Sequence, residues 1–205
     1  MDNFVVTLAR SNGSGGRQIA QLLANRLKIS FYDKELLNIV SQEHGINLSI
    51  ISQADETPET GRFKKYNSEE IVSPSDKDYL SKNNIFNMTC QAMRNLADSG
   101  ESCIILGRCA HHVLKDRKNV IRVFIWADDP TCAKNLMERH GIDYESALKR
   151  VRETDNKRKA YHRYFTNMEW TDVRNYDICL NTGTTSIEEC VEVIINYINM
   201  MKNIK

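Results

Sequence analysis

The sequence has 205 residues, 41% of them hydrophobic and 27% charged, which is enough chain for one core of ordinary size. Its 28 Lys and Arg against 27 Asp and Glu leave a formal charge of +1. That balance excludes a general attraction to nucleic acid or to an anionic membrane, so any anion site has to arise from local placement of charge.

Residues 4–9 (FVVTLA) are a β-branched apolar run, the pattern of a buried strand. A glycine-rich turn follows. Residues 18–27 then carry apolar side chains at 19, 22, 23 and 27, which is helical spacing. Residues 29–32 read as a second strand. Asp33 reads as the N-cap of a helix that holds Leu36, Leu37 and Val40 and stops at Gly45. Residues 46–80 are polar, contain Pro58, Gly61 and Pro74, and lack clear periodicity. They read as an inserted mobile segment with one or two short helices. Helical spacing resumes over 83–97 and closes at Gly100. Residues 102–106 (SCIIL) and 119–127 (NVIRVFIWA) are the next strands, and 130–140 the next helix. Residues 144–165 form a long, charged helical stretch, 177–181 (DICLN) the last strand, and 186–198 the last helix.

Strands alternating with helices predict right-handed βαβ units and a parallel sheet, with ligands at the carboxyl ends of the strands. Those ends carry residues 10–17, Asp33, Gly107 with Arg108, and Asp128 with Asp129. None of the six cysteines forms a C-x-x-C pair, and no Cys/His group has zinc-finger spacing. Cys103 and Cys179 fall in apolar strand runs and read as small buried hydrophobes, which fits a reducing cytoplasm. The opening MDNF lacks a basic region followed by an apolar stretch, and no apolar run is long enough to span a bilayer. The expectation is a cytoplasmic protein without nucleic-acid or membrane partners.

The strongest chemical signal is Ser11, Asn12, Gly13, Ser14, Gly15, Gly16, Arg17 and Gln18, between the first strand and the first helix. The glycines allow successive N–H groups to turn inward, and the helix that follows adds unpaired donors and positive dipole. The phosphate-loop pattern is G-x-x-x-x-G-K-[ST]. Here Ser11 replaces the first glycine, Arg17 the lysine and Gln18 the hydroxyl residue. Arg17 keeps the charge with a different geometry. Gln18 removes the usual direct Mg²⁺ ligand. The competing reading is a plain glycine-rich turn.

The run VTLARSNGSGGRQIAQLLANRLKISFYDKELL resembles the opening of the cytidylate kinase-like family. Gly107-Arg108-Cys109-Ala110, the run from Asp155 to Tyr161, and Asn175-Tyr176-Asp177 continuing to Asn181-Thr182 agree with it in order. The resemblance implies a three-layer nucleoside-monophosphate-kinase fold: a five-stranded parallel sheet between helices, in one domain over residues 1–205. Residues 46–80 would be the acceptor-binding insertion and 141–170 the lid region. It implies ATP with Mg²⁺ as donor and a nucleoside monophosphate, CMP first, as acceptor. The family pattern has an acidic residue after the GRCA motif, where this chain has His111 and His112, and a Walker-B-like Asp where it has Leu106. Magnesium would therefore be held through waters and phosphates, with no metal ligand assigned to the protein.

Phosphoryl transfer needs positioning and charge neutralisation more than covalent chemistry. Arg17, Arg108, Arg158 and Asp33 are the expected catalytic residues. Asp33, Arg108, Arg152, Asp155 and Arg163 are the expected acceptor-binding residues. Each has a plainer reading: Arg108 as a surface arginine, the lid charges as a solvated helix face, Asp33 as a helix cap. Asp128 and Asp129 read as caps. His111 and His112 are adjacent and point apart on a helix, which disfavours a shared metal. Tyr161, Tyr164, Phe165 and Trp170 read as lid packing rather than a base-stacking platform. The expectation is an ATP-dependent phosphotransferase. The alternatives are a kinase for another small acceptor and a nucleotide-binding regulator without catalysis.

Overall fold

Alternating apolar strands and amphipathic helices can bury both strand faces only by layering helices on each side of a parallel sheet. The computed structural model, which describes residues 3–58, 66 and 68–203, has this arrangement. Its strands are β1 Val5–Arg10, β2 Ser30–Tyr32, β3 Cys103–Leu106, β4 Val120–Trp126 and β5 Ile178–Asn181. All pair in parallel, in the order β2-β3-β1-β4-β5. The central strand β1 sets Thr7 opposite both Ile105 and Arg122. This brings the ends of β1, β3 and β4 to one edge of the sheet.

The helices among the described residues are α1 Gly16–Leu27, α2 Glu35–His44, α3 Leu48–Ala54, α4 Lys82–Asp98, α5 Ala110–Val113, α6 Asp129–His140, α7 Tyr144–Thr166 and α8 Ile187–Asn203. Side chains alternate along each strand, so the two faces make separate cores. Val6, Leu8, Ile104, Ile121 and Val123 meet Ile19 and Leu23 of α1 and Val191 and Ile194 of α8. Val5, Cys103 and Ile105 face the other way, onto Leu36 and Val40 of α2, Met88 and Met93 of α4, and Phe165 of α7.

The predicted strands and helices all appear, with ends shifted by a few residues. The last helix runs further, to Asn203. Side-chain caps mark several starts: Ser81 for α4, Asp128 for α6 and Asp143 for α7 each accept the backbone N–H three residues on. Asp33 does not cap α2. Lys34 holds that position without a side-chain bond, which leaves the Asp33 carboxylate for other work. The polar stretch 46–80 contains one helix among its described residues, α3. Gly61, with residues 59–65 and 67, lies outside the described residues. Cys179 is half-buried rather than a core residue. No helix among the described residues is long and apolar enough to cross a membrane.

Candidate active site

The loop after β1 is held open from behind. Ser14 is fully buried, and its hydroxyl donates to the Ser11 carbonyl at 2.8 Å and to the Ile125 carbonyl at 3.2 Å. Thr182 Oγ1 donates to the Ser14 carbonyl at 2.8 Å, and Asn135 Nδ2 to the Gly13 carbonyl at 2.9 Å. With its carbonyls bound on the outside, the loop turns its amides inward. The N–H groups of Gly13, Gly15, Gly16 and Arg17 have no partner among the described residues. Gly13 and Gly15 have φ of 89° and 79°. A Cβ on Gly13 would lie 2.5 Å from the Cys132 carbonyl oxygen, so only glycine fits there. Unpaired amides beside a helix N-terminus form an anion cradle.

In front of the loop lies a cleft of about 400 Å³ lined by Arg10, Arg17, Lys34, Arg108, Arg150 and Arg158 together with Asp33, Asp55 and Glu56. The excess of basic groups fits phosphate groups. Arg17 Nε sits 3.1 Å from Asp33 Oδ2 with its side chain 59% exposed, so it is free to swing onto a ligand. Arg108 is different. It is buried, with Nε and Nη2 on the two oxygens of Asp55 at 2.7 and 2.8 Å and Nη1 on the Asp33 and Leu106 carbonyls at 2.8 and 3.3 Å. Four of its five N–H groups are thereby used. Glu56 bridges two guanidinium groups, Arg10 Nη1 at 2.9 Å and Arg158 Nε at 3.2 Å. Burial opposes ionisation of Glu56, but Arg10 and Arg158 outweigh it and hold the carboxyl at about 2. Burial pushes the Asp55 carboxyl up despite Arg108.

The middle of α7 closes over the rim of the loop. Asp155 Oδ1 accepts the Asn12 N–H at 2.8 Å, and the Arg150 carbonyl accepts from Asn12 Nδ2 at 3.3 Å. Arg158 Nη1 donates to the Arg10 carbonyl at 3.1 Å. Burial raises the Asp155 carboxyl, and the Asn12 amide works against that rise. On the far side of the loop a second cavity, of about 600 Å³, lies between Gly15, Gln18, Arg139, Thr185 and Ser186. Arg139 Nη2 donates to Gln18 Oε1 at 2.8 Å there.

A model of the cytidylate kinase-like family matches residues 5–184. The chain belongs to this family. It is 22% identical over 202 residues to a cytidylate kinase from Archaeoglobus fulgidus, covering 96% of each chain. It is 23% identical over 195 residues to one from Methanosarcina barkeri, covering 92% of this chain and 93% of that one. The crystal structure of an uncharacterized protein from Eubacterium ventriosum superposes with a TM-score of 0.73 at 30% identity, over 96% of this chain and 99% of that one. Shikimate kinase from Bacteroides thetaiotaomicron gives 0.53 at 11% identity, over 96% and 98%, which is likeness of fold. Family and fold point to a P-loop nucleotide kinase, and such kinases use ATP with a divalent metal.

Among the residues expected from the sequence, the structure gathers residues 11–13 and 15–17, Asp33, Arg108 and Arg158 around one cleft, with Asp155 at its rim on the Asn12 amide; Ser14 is buried behind the loop and Gln18 lines the second cavity. Arg152 pairs with Asp129 at 3.0 Å on the exposed side of α7. Arg163, 70% exposed, pairs with Glu169. Both stand outside the cleft in this arrangement. Asp128 caps α6. His111 is buried against His162, with the two Nε2 atoms 2.9 Å apart. Tyr161 and Tyr164 pack edge-on against Phe165, whereas Trp170 packs against Phe124 elsewhere. Asp55, Glu56 and Arg139 were not singled out in the sequence. Arg139 carries the one usable signal, its i, i+4 spacing from Asn135 on α6, which puts both on the side facing the loop. Asp55 and Glu56 lie just past α3 in a segment without periodicity.

Proposed function

We infer that this protein transfers the γ-phosphate of ATP to a small anionic acceptor, with a nucleoside monophosphate, CMP first, as the leading candidate. The observation that carries this reading is the row of unpaired amides at Gly13, Gly15, Gly16 and Arg17, facing a cleft dominated by arginines. The two curated relatives, both cytidylate kinases, favour the acceptor class.

The loop amides and Arg17 hold the β- and γ-phosphates. The donor's nucleoside lies in the cavity beside Arg139, whose guanidinium plane, steadied by Gln18, offers a stacking surface for a base. The acceptor enters from the β3 side, between Arg10, Arg108 and Arg158. Its anionic group takes the place of the Glu56 carboxylate on Arg10 and Arg158. Asp33 accepts a hydrogen bond from the attacking group, released for this when Arg17 turns to phosphate. Helix α7 acts as the lid, and residues 46–80 as the acceptor-side insertion. Closure brings Arg158 onto the transferring group and excludes water.

Among the described residues no three His, Cys, Asp or Glu side chains gather as a metal site. The donor set fits a magnesium ion held by phosphate oxygens and water, with Asp33 as the carboxylate beside Arg17. Magnesium supplies charge neutralisation on the β- and γ-phosphates.

The test is ADP release from ATP and Mg²⁺ with a panel of nucleoside monophosphates, nucleosides and small hydroxy acids, and mass spectrometry of the product. Stimulation by CMP supports the reading. Stimulation by a hydroxy acid or nucleoside instead reassigns the acceptor. ATP binding that no acceptor converts into ADP release leaves a nucleotide-binding regulator, the reading that Gln18 at the hydroxyl position favours.

A further inference from the structure

A third cavity, separate from the two assigned to donor and acceptor, lies under the far side of α7. It has a volume of about 360 Å³, within the range of small-molecule sites. Its floor is the end of β4, with Phe124 and Trp126, and its back wall is Trp170. The chain has two tryptophans, and both line this one cavity. Trp126 is 39% exposed, an uncommon position for so large an apolar side chain.

The polar groups around it are unevenly satisfied. Asp129 is matched by Arg152, and Asp155 by the Asn12 amide and Arg158. Lys159 makes no hydrogen bond or close ion pair among the described residues, although its charge is felt by Asp155. Nor do the hydroxyls of Ser11 and Thr171 or the two indole N–H groups make one. Asp129 and Asp155 each face an arginine, so the charge left for a ligand is that of Lys159, beside two hydroxyls and two indole N–H donors. Flat aromatic walls select a planar apolar body, and unpaired donors with a cation select an anionic edge.

We propose that this cavity is a second ligand site, which takes a planar aromatic carboxylate with its ring against Trp126 and Trp170 and its carboxylate on Lys159. It is lined by Ser11 of the phosphate loop and by Asp155 of α7, which accepts the Asn12 amide, so its occupant also bears on the seating of α7 over the loop. The site stands independently of which acceptor the enzyme uses.

The test uses 4-(trifluoromethyl)benzoate as probe, with no turnover required. Binding is read by ¹⁹F line broadening and by tryptophan emission excited at 295 nm. Wild-type protein is expected to show saturable changes in both. Lys159→Met, an exposed substitution, is expected to weaken binding at least tenfold, as is replacing the probe by the neutral 4-(trifluoromethyl)benzyl alcohol. Arg17→Met is expected to leave probe binding unchanged, because the phosphate cradle is a different site. The proposal is overturned by an absence of saturable signal up to millimolar probe, by equal affinity of the Lys159→Met variant, or by loss of binding in Arg17→Met, which would put the probe in the cradle.

Discussion

Arg158 Nε donates to Glu56 Oε2 at 3.2 Å, and this one contact ties the segment after α3 to the middle of α7 across the cleft. Glu56 also holds Arg10, and its backbone sits at φ 48°, a left-handed conformation unusual for glutamate. The carboxylate thus occupies the two guanidinium groups that an anionic acceptor needs. Replacing it with a neutral amide removes the competitor. Glu56→Gln is expected to lower the acceptor KM roughly five- to tenfold, about 1–1.4 kcal/mol of competing interaction, which steady-state kinetics at saturating ATP measures.

Arg108 is 4% exposed and forks onto Asp55. Removing the cation leaves the half-buried Asp55 carboxylate and the buried Asp33 carboxylate without it. Arg108→Met is expected to cost about 3–5 kcal/mol of stability by chemical denaturation, and Arg108→Lys less, because charge survives while the bidentate geometry is lost.

Gly13 has no room for a methyl group, since a Cβ would meet the rigid backbone of Cys132 at 2.5 Å. Gly13→Ala is therefore expected to distort the cradle. Wild-type protein with ATP at about 100 times its Kd gains roughly 2.7 kcal/mol. The variant should lose most of this gain, which thermal melting with and without ATP detects.

Arg139 donates to Gln18 and lines both the donor cavity and the edge of the cleft in front of the loop. Arg139→Ala is expected to raise the ATP KM about tenfold and leave kcat within about twofold, the pattern of lost ground-state binding.

The buried His111–His162 pair makes stability depend on pH. His162 Nδ1 lies 3.0 Å from the Met168 carbonyl, so it carries the hydrogen, and its bare Nε2 accepts from His111 Nε2. Burial, first of all, lowers His162 from 6.5 to about 4, with His112 adding to the fall and Glu169 opposing it. The unfolded chain binds this proton below pH 6.5, while the folded chain resists it down to about 4. The His162 contribution is therefore complete above about pH 6.5 and falls as pH drops toward 4, by about 3 kcal/mol, and His111, which burial also holds well below its usual range, acts in the same direction. Urea midpoints between pH 7 and 4 should show this slope, and His162→Gln should lessen it.

Local chemistry was legible in the amino-acid order. The β-branched run, the glycines at 13, 15 and 16 and the apolar spacing of α1 specify a strand, a turn and a helix through contacts a few residues apart. Alternating elements then leave a parallel sheet as the layering that buries them, and the loop falls at its carboxyl edge. The cap at Asp33 was the near miss. The side chain is close to the start of α2, but Arg17 and Arg108 claim it from elsewhere in the chain.

Tertiary structure alone decided which charges work together. Arg10 and Glu56 are 46 positions apart, Arg108 and Asp55 53, and Arg158 and Glu56 102. No periodicity connects such pairs. In α7, helical spacing sorts the arginines into faces but does not say which face turns inward. The docking of Asp155 on the Asn12 amide sets that, and so puts Arg158 in the cleft and leaves Arg152 and Arg163 on the surface. Hydrogen-bond geometry and periodicity act over a few residues, whereas the partner of a charge is fixed only when the sheet and helices have brought distant segments together.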